Sequence, residues 1–354
     1  MNRKKLYLHI GQPKTGTSAI QGTLVKSRKV LLDNSVHYPG AACFLGHNAL
    51  ALSMVGIERF GDFNFHLDSF YQEVTMMNAK TVVCSSEHFD REDVVRSHNL
   101  KHFLDRLSKQ FDIKVIIYVR NPSDLIESLF YQFVKHNNAK YTFDDMVNDP
   151  HYKSYLDIEG KVNLWADVVG KDNVMVNLFD RNTLVNGDVI DDFLSIVGIN
   201  CGTIERPRFT NKSLNLESAY FCWFINNLDL TQDNVERFKP VFDELSEGKC
   251  TVPIYSDLPK LYSIEFAQSF SFSDEFLKRY PNLNQVFEEQ PNKKSFSFSD
   301  FYIDHNNFNE YLAYLIENSD LTRDELKSAI DKKRGQFLER ERDIVASLES
   351  KHLS

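Results

Sequence analysis

The stretch 112–119, Asp-Ile-Lys-Val-Ile-Ile-Tyr-Val, constrains the fold more than any other part of the chain. It ends in five apolar residues without a break, Val115, Ile116, Ile117, Tyr118 and Val119. A strand with one wet face alternates apolar and polar residues. A continuous apolar run reads instead as a strand covered on both faces, which is the situation of a parallel sheet. Four further short runs, 5–10, 35–39, 81–86 and 173–179, read as strands in the same way. Between them the pattern predicts helices over 17–29, 97–110, 122–136, 158–170 and 188–197. Strands alternating with helices of this length predict an α/β fold, a parallel sheet with helices on both faces.

After about residue 200 the strand signals fade and polar, Phe-rich helical segments take over. The expected division is an α/β core over 1–220 and a mainly helical extension over 221–354. Ser-Phe-Ser-Phe-Ser-Asp occurs twice, at 269–274 and 295–300, and reads as two helix entries with Ser or Asp caps. Thr322-Arg323-Asp324-Glu325 fits a capping box, opening a helix that carries Leu326, Ile330, Phe337, Ile344, Val345 and Leu348.

Lys plus Arg number 41 against 50 Asp plus Glu, a net charge of −9, so the chain is a poor general partner for nucleic acid or an anionic membrane. Five cysteines at wide spacings, with no C-x-x-C, argue against a disulfide framework or a cysteine-rich zinc site, and for reduced thiols in a cytoplasm. The apolar stretch behind the basic Met1–Lys5 is too short for a signal peptide, and no segment qualifies as transmembrane.

The strongest local signal is Gly11-Gln12-Pro13-Lys14-Thr15-Gly16-Thr17-Ser18, between the first strand and the first helix. Glycines let a backbone turn tightly and aim its N–H groups at an anion, and the helix N-terminus adds its dipole. Lys14 brings a mobile charge, and Thr15, Thr17 and Ser18 bring hydroxyls, so the loop reads as a phosphate or sulfate site. It departs from the ATPase loop G-x-x-x-x-G-K-[ST], because Lys14 precedes the second glycine and Thr17 follows it. The fourth strand ends in Arg120, where a metal-dependent ATPase is expected to place an acid. Pro122 stands where a helix starts, and Ser128 lies about two turns into that helix. Arg120 and Ser128 together suit a second phosphate, with a guanidinium fork and a hydroxyl.

His9-Ile-Gly-Gln-Pro-Lys14-Thr-Gly-Thr-Ser18 resembles the 5′-phosphosulfate loop of sulfotransferases that use 3′-phosphoadenosine-5′-phosphosulfate (PAPS). Arg120-Asn-Pro with Ser128-Leu-Phe-Tyr131 resembles their 3′-phosphate motif, in which an Arg precedes a Ser by eight positions. Phe209-Thr-Asn211-Lys212-Ser213-Leu214 is similar to the later loop that closes over the nucleotide in carbohydrate sulfotransferases. The resemblance covers about residues 5–220 and implies a P-loop NTPase-like sheet. It also implies roles. Lys14 would stabilise charge on the leaving phosphate. Gly11, Pro13, Thr15, Gly16, Thr17 and Ser18 would cradle the 5′-phosphosulfate, and Arg120 and Ser128 would bind the 3′-phosphate. Asn211, Lys212 and Ser213 would cover the nucleotide.

The expected function is a soluble, cytoplasmic, bacterial-type sulfotransferase, PAPS-dependent and metal-independent, acting on a hydroxyl or amine of a carbohydrate or glycolipid and releasing PAP. The absence of an N-terminal membrane anchor argues against an animal Golgi enzyme, if Met1 is the start. Three residues are open as the base: Glu87, which follows the 81–86 strand, His88 beside it, and His47 in the segment after the first helix. Glu87 is preferred, with His47 expected to act on the acceptor. Two alternatives remain at this point, a P-loop kinase using ATP and Mg²⁺ and a nucleotide-binding regulatory protein without activity. A homo-oligomer through the C-terminal helix is a further expectation.

Overall fold

The computed structural model describes residues 3–136, 139–200, 202, 204, 206, 214–230, 234–247, 260–286, 296–298, 301, 303–337 and 339–351. The five expected strands are present as β1 (Lys4–His9), β2 (Val36–His37), β3 (Thr81–Ser85), β4 (Phe111–Val119) and β5 (Val174–Leu178). They form one sheet in the order β2-β3-β1-β4-β5. Every pairing is parallel, with β1 in the middle: His9 stands level with Ser85 on one side and with Ile116 on the other. The fold is therefore α/β and P-loop-like.

The helices of eight or more residues are α1 (Thr17–Lys26), α2 (Phe63–Met76), α3 (His98–Leu107), α4 (Pro122–His136), α5 (Ile158–Val169), α6 (Val189–Ile196), α7 (Leu216–Asn227), α8 (Asn234–Glu247), α9 (His305–Asn318), α10 (Arg323–Lys333) and α11 (Glu339–Lys351). Five of these, α1, α3, α4, α5 and α6, answer to the helices expected in the first 200 residues. α2 was not anticipated, because its apolar residues Phe63, Leu67, Phe70 and Val74 are diluted by Asn64, His66, Asp68 and Gln72. The expected C-terminal helix is two, α10 and α11, broken by the turn Arg334–Gln336 around Gly335. Thr322 caps α10 in the expected box with Glu325. Ser273 caps the short helix Asp274–Arg279 by accepting from the Phe276 N–H, as the first Ser-Phe repeat predicts. In the second repeat 295, 299 and 300 lie outside the described residues, and its expected helix entry with them.

The chain forms two compact units that interleave along the sequence. One comprises 1–121, 156–209 and 271–288, and the other 122–155, 210–270 and 289–354. The composition-based boundary at 220 describes the sequence; it falls within α7.

The first unit holds the whole sheet. Alternate strand residues enter two cores. Leu6, Leu8, Val82, Val115, Ile117 and Val176 pack with Phe70 of α2, Phe103 of α3 and Trp165 of α5. Tyr7, Val83, Ile116 and Tyr118 pack on the opposite face with Ile20 and Leu24 of α1 and Phe193 of α6. Burial on both faces accounts for the unbroken apolar run of β4.

The second unit is helical and aromatic. Phe130 of α4 meets Phe143 and Phe298 edge-on at 5.8 and 5.0 Å, and Phe221 and Phe224 of α7 pack on Phe308 of α9. Within it, the buried Lys135 is satisfied by Asp243 and Ser246 of α8, both at 2.8 Å. Among the described residues no helix is long and apolar enough to cross a membrane. Cys43, Cys84 and Cys222 are free thiols.

The sheet core sets a direct test. Ile116 is wholly buried in the face that carries α1. Ile116→Ala is expected to lower unfolding free energy in urea by about 2–5 kcal/mol. Met76→Ala, at a side chain 81% exposed, is expected to stay within about 0.5 kcal/mol.

Candidate functional site

Because β1, β3 and β4 run parallel and side by side, the segments that follow them leave from one edge. After β1 comes the glycine loop. The Ile10 N–H still reaches Ile116 O at 3.0 Å, and then Gly11 turns the chain at φ +54°. A Cβ on Gly11 would stand 2.7 Å from Thr17 Oγ1, so only glycine allows this approach. Gly16 at φ +79° begins α1, and a Cβ there would meet Val189 Cγ1 at 2.7 Å.

Lys14 also takes the left-handed region, at φ +64°. A side chain there costs roughly 1–2 kcal/mol, so something must hold the loop in this form. Three hydrogen bonds do so. Thr15 Oγ1 donates to Gln12 O at 2.6 Å, Arg120 Nη1 donates to Lys14 O at 3.2 Å, and the Arg120 N–H donates to Gln12 Oε1 at 2.9 Å.

This arrangement suits a tetrahedral anion. The first N–H groups of a helix have no carbonyl one turn back, and those of α1 open at the loop. Thr17 Oγ1 is buried and has no hydrogen-bond partner. A buried hydroxyl without a partner is costly, and an anion oxygen at this point would satisfy it. Lys14 is half-buried in the loop and Ser18 is exposed at the start of α1.

Glu87 follows β3 as the first residue of the turn Glu87–Asp90. Its Cα lies 3.6 Å from where a Gly11 Cβ would be, so the turn sits directly against the loop. Ser86 Oγ caps the turn by accepting the His88 N–H at 3.2 Å. Two contacts to α5 anchor its far end: Trp165 Nε1 donates to Phe89 O at 3.3 Å, and Asp90 pairs with Lys161. Burial pushes Asp90 up to about 6, against the pull of Lys161. Burial likewise raises Glu87 from its ordinary value, and the Lys14 charge opposes the shift. Glu87 and Lys14 are thus close enough to feel each other. His88 is pushed down by burial and by the charges of Arg91 and Arg59.

His47 is placed differently. It is fully buried, edge-on to Tyr38 at 5.0 Å and Phe70 at 5.6 Å. Its backbone N–H donates to Ser85 O at 2.7 Å, and its Nδ1 accepts the Ser85 N–H at 3.2 Å. The ring clips its segment to the end of β3, and burial pushes its pKa down to about 4. Beside it lies a cluster that sequence reasoning missed. Ser85 Oγ stands 2.8 Å from His9 Nδ1 and accepts from Gln21 Nε2 at 3.3 Å. Burial pushes His9 down to about 3. Nothing in the spacing of His9, Gln21 and Ser85 signals that they meet. Gln12, in an exposed-looking loop position, gives equally little sign of its reach to Arg120.

The structure therefore brings Gly11, Lys14, Thr17, Glu87 and Arg120 together. Pro13, Thr15 and Gly16 complete the loop. Ser128 is buried on α4, in the second unit. Asn211, Lys212 and Ser213 lie outside the described residues. Among the described residues no group of three His, Cys, Asp or Glu side chains is arranged to hold a metal ion.

Residues 7–196, more than half the chain, match the sulfotransferase domain family. The solved structure of a sulfotransferase from Alicyclobacillus acidocaldarius is similar over 68% of this chain and 99% of its own, at 16% identity and a TM-score of 0.39, too loose a superposition to bear on the site. No curated protein matches the chain.

The buried His47 generates a prediction. Held neutral to about pH 4 when folded, it takes up a proton near its ordinary 6.5 when unfolded. The unfolded chain then binds more protons between these values, so stability is lost as pH falls through 6.5 toward 4. The slope is up to about 1.4 kcal/mol per pH unit for one such group. His47→Gln is expected to flatten the dependence of unfolding free energy on pH across this window, measured in urea at pH 7, 5.5 and 4.5. Parallel wild-type and variant curves would contradict it.

Proposed function

The chain belongs to the sulfotransferase domain family and is a transferase, and we propose that it moves the sulfuryl group of PAPS to a hydroxyl or amine of a carbohydrate or glycolipid. The observation that carries the donor reading is the partnerless Thr17 hydroxyl, buried inside a left-handed turn at the head of α1. The turn offers the 5′-phosphosulfate the backbone N–H groups from Thr15 to Ser18 and the hydroxyls of Thr17 and Ser18. The Thr15 hydroxyl is committed to Gln12 O and serves the loop's shape. Lys14 supplies the charge that stabilises the departing phosphate. Arg120 takes the 3′-phosphate. Ser128, Asn211, Lys212 and Ser213 join the proposal on sequence motif alone.

PAPS supplies an activated sulfur, open to in-line displacement with needs close to those of phosphoryl transfer: alignment and charge stabilisation. Lys14, Arg120 and the α1 N-terminus meet the second need, which supports a reaction that runs without a metal. Glu87 is the proposed base. It lies against the donor loop, and its raised pKa makes its carboxylate a better proton acceptor than a solvated one. His47 is less suited, since its Nδ1 already accepts the Ser85 N–H. Free thiols at Cys43, Cys84 and Cys222 support a cytoplasmic setting.

Two substitutions test these roles. Lys14→Ala is expected to lower turnover of PAPS to PAP by about 10²–10³, the usual cost of one preorganised charge-stabilising group. Glu87→Gln is expected to lower kcat by about 10²–10⁴ with PAP affinity unchanged. In the wild type, kcat is expected to fall on acidification at a higher pH than for a solvated glutamate, because burial raises Glu87 and it must be ionised to act. Wild-type turnover in Lys14→Ala at saturating PAPS would overturn the donor assignment. Wild-type kcat in Glu87→Gln would move the base to His88.

A further inference from the structure

Gln12 lies in the loop between Gly11 and Pro13, yet it is 1% exposed. It is buried because it reaches across to the end of β4. There its Oε1 accepts the backbone N–H of Arg120 at 2.9 Å. Arg120 is the first residue beyond β4, and its N–H is no longer part of the strand. From that anchor the Arg120 side chain returns to the loop and donates from Nη1 to Lys14 O at 3.2 Å, passing over the Phe179 ring at 5.8 Å. Thr15 Oγ1 closes the circuit by donating to Gln12 O. Gln12, Arg120 and Lys14 are thus one hydrogen-bonded ring joining the two segments that carry the donor's proposed phosphate contacts.

We infer that Gln12 is a positioning residue that sets the Arg120 guanidinium for the 3′-phosphate. This rests on the PAPS reading above. A guanidinium recognises a phosphate through a fixed fork, so its effect depends on where its backbone is pinned. Gln12 pins that backbone, and one Nη then fixes the fork against Lys14 O. Without the side-chain oxygen of Gln12, the start of the 120–121 segment loses its tie to the loop, and the fork loses its registration.

Gln12→Met keeps length and volume and removes the acceptor. The experiment is calorimetric titration of wild type and Gln12→Met with PAP and with adenosine 5′-monophosphate, which lacks the 3′-phosphate. Hydrogen exchange of the peptide spanning Arg120 accompanies it. The wild type is expected to bind PAP at least tenfold tighter than the monophosphate. In Gln12→Met this ratio is expected to fall toward one, because the loss for PAP exceeds the smaller loss for the monophosphate that comes with one fewer bond holding the loop, and exchange at Arg120 is expected to be faster. An unchanged ratio overturns the inference. Equal losses for both nucleotides also overturn it, since they show a general loosening of the loop. A wild type without preference for PAP overturns the donor reading itself, and Gln12 then has nothing to position.

Discussion

The parallel pairing of β1 with both β3 and β4 is the constraint from which the rest follows. Three strands side by side in one direction deliver three chain segments to the same edge, and those segments carry Lys14, Glu87 and Arg120. The register is fixed because both faces of these strands are buried. A slip by one residue would exchange Leu6, Leu8 and Val115 with Tyr7 and Ile116 between two differently shaped cores. The precision of the site is therefore inherited from the packing beneath it.

On that edge the chemistry is set by opposed electrostatic demands. Burial raises the Glu87 carboxyl, and the neighbouring Lys14 limits the rise, so the proposed base would be strengthened beside the charge proposed for the donor anion. The strained Lys14 backbone is held by hydrogen bonds that run through Arg120. The anchors of the Glu87 turn, Ser86 at its start and the Lys161 and Trp165 contacts at its end, keep the carboxylate from drifting off the loop.

Much of this was legible in the sequence. The Val115–Val119 run announced a doubly buried strand, and the strand–glycine–helix junction announced the tight turn at the head of α1 that holds Lys14 and Thr17. Both signals are local. What stayed hidden depends on contacts between distant residues. Gln12 to Arg120 spans 108 positions and Ser85 to His9 spans 76, and no periodicity encodes such meetings. His47 shows the same limit from the other side. Its sequence context offers a titratable ring, while its burial against Tyr38 and Phe70 keeps that ring neutral. α2 was missed because polar residues interrupt its buried stripe while Phe65 and Met76 are apolar yet exposed, which blurs the helical period.

The central claim is sulfuryl transfer from PAPS to a saccharide. The direct measurement is mass spectrometry of a panel of candidate saccharides and glycolipids incubated with the enzyme and PAPS in the presence of EDTA. The account predicts a product heavier by one sulfate group, formed in step with PAP and at the same rate without the chelator. A panel left unsulfated while ATP and Mg²⁺ yield a phosphorylated product would contradict it.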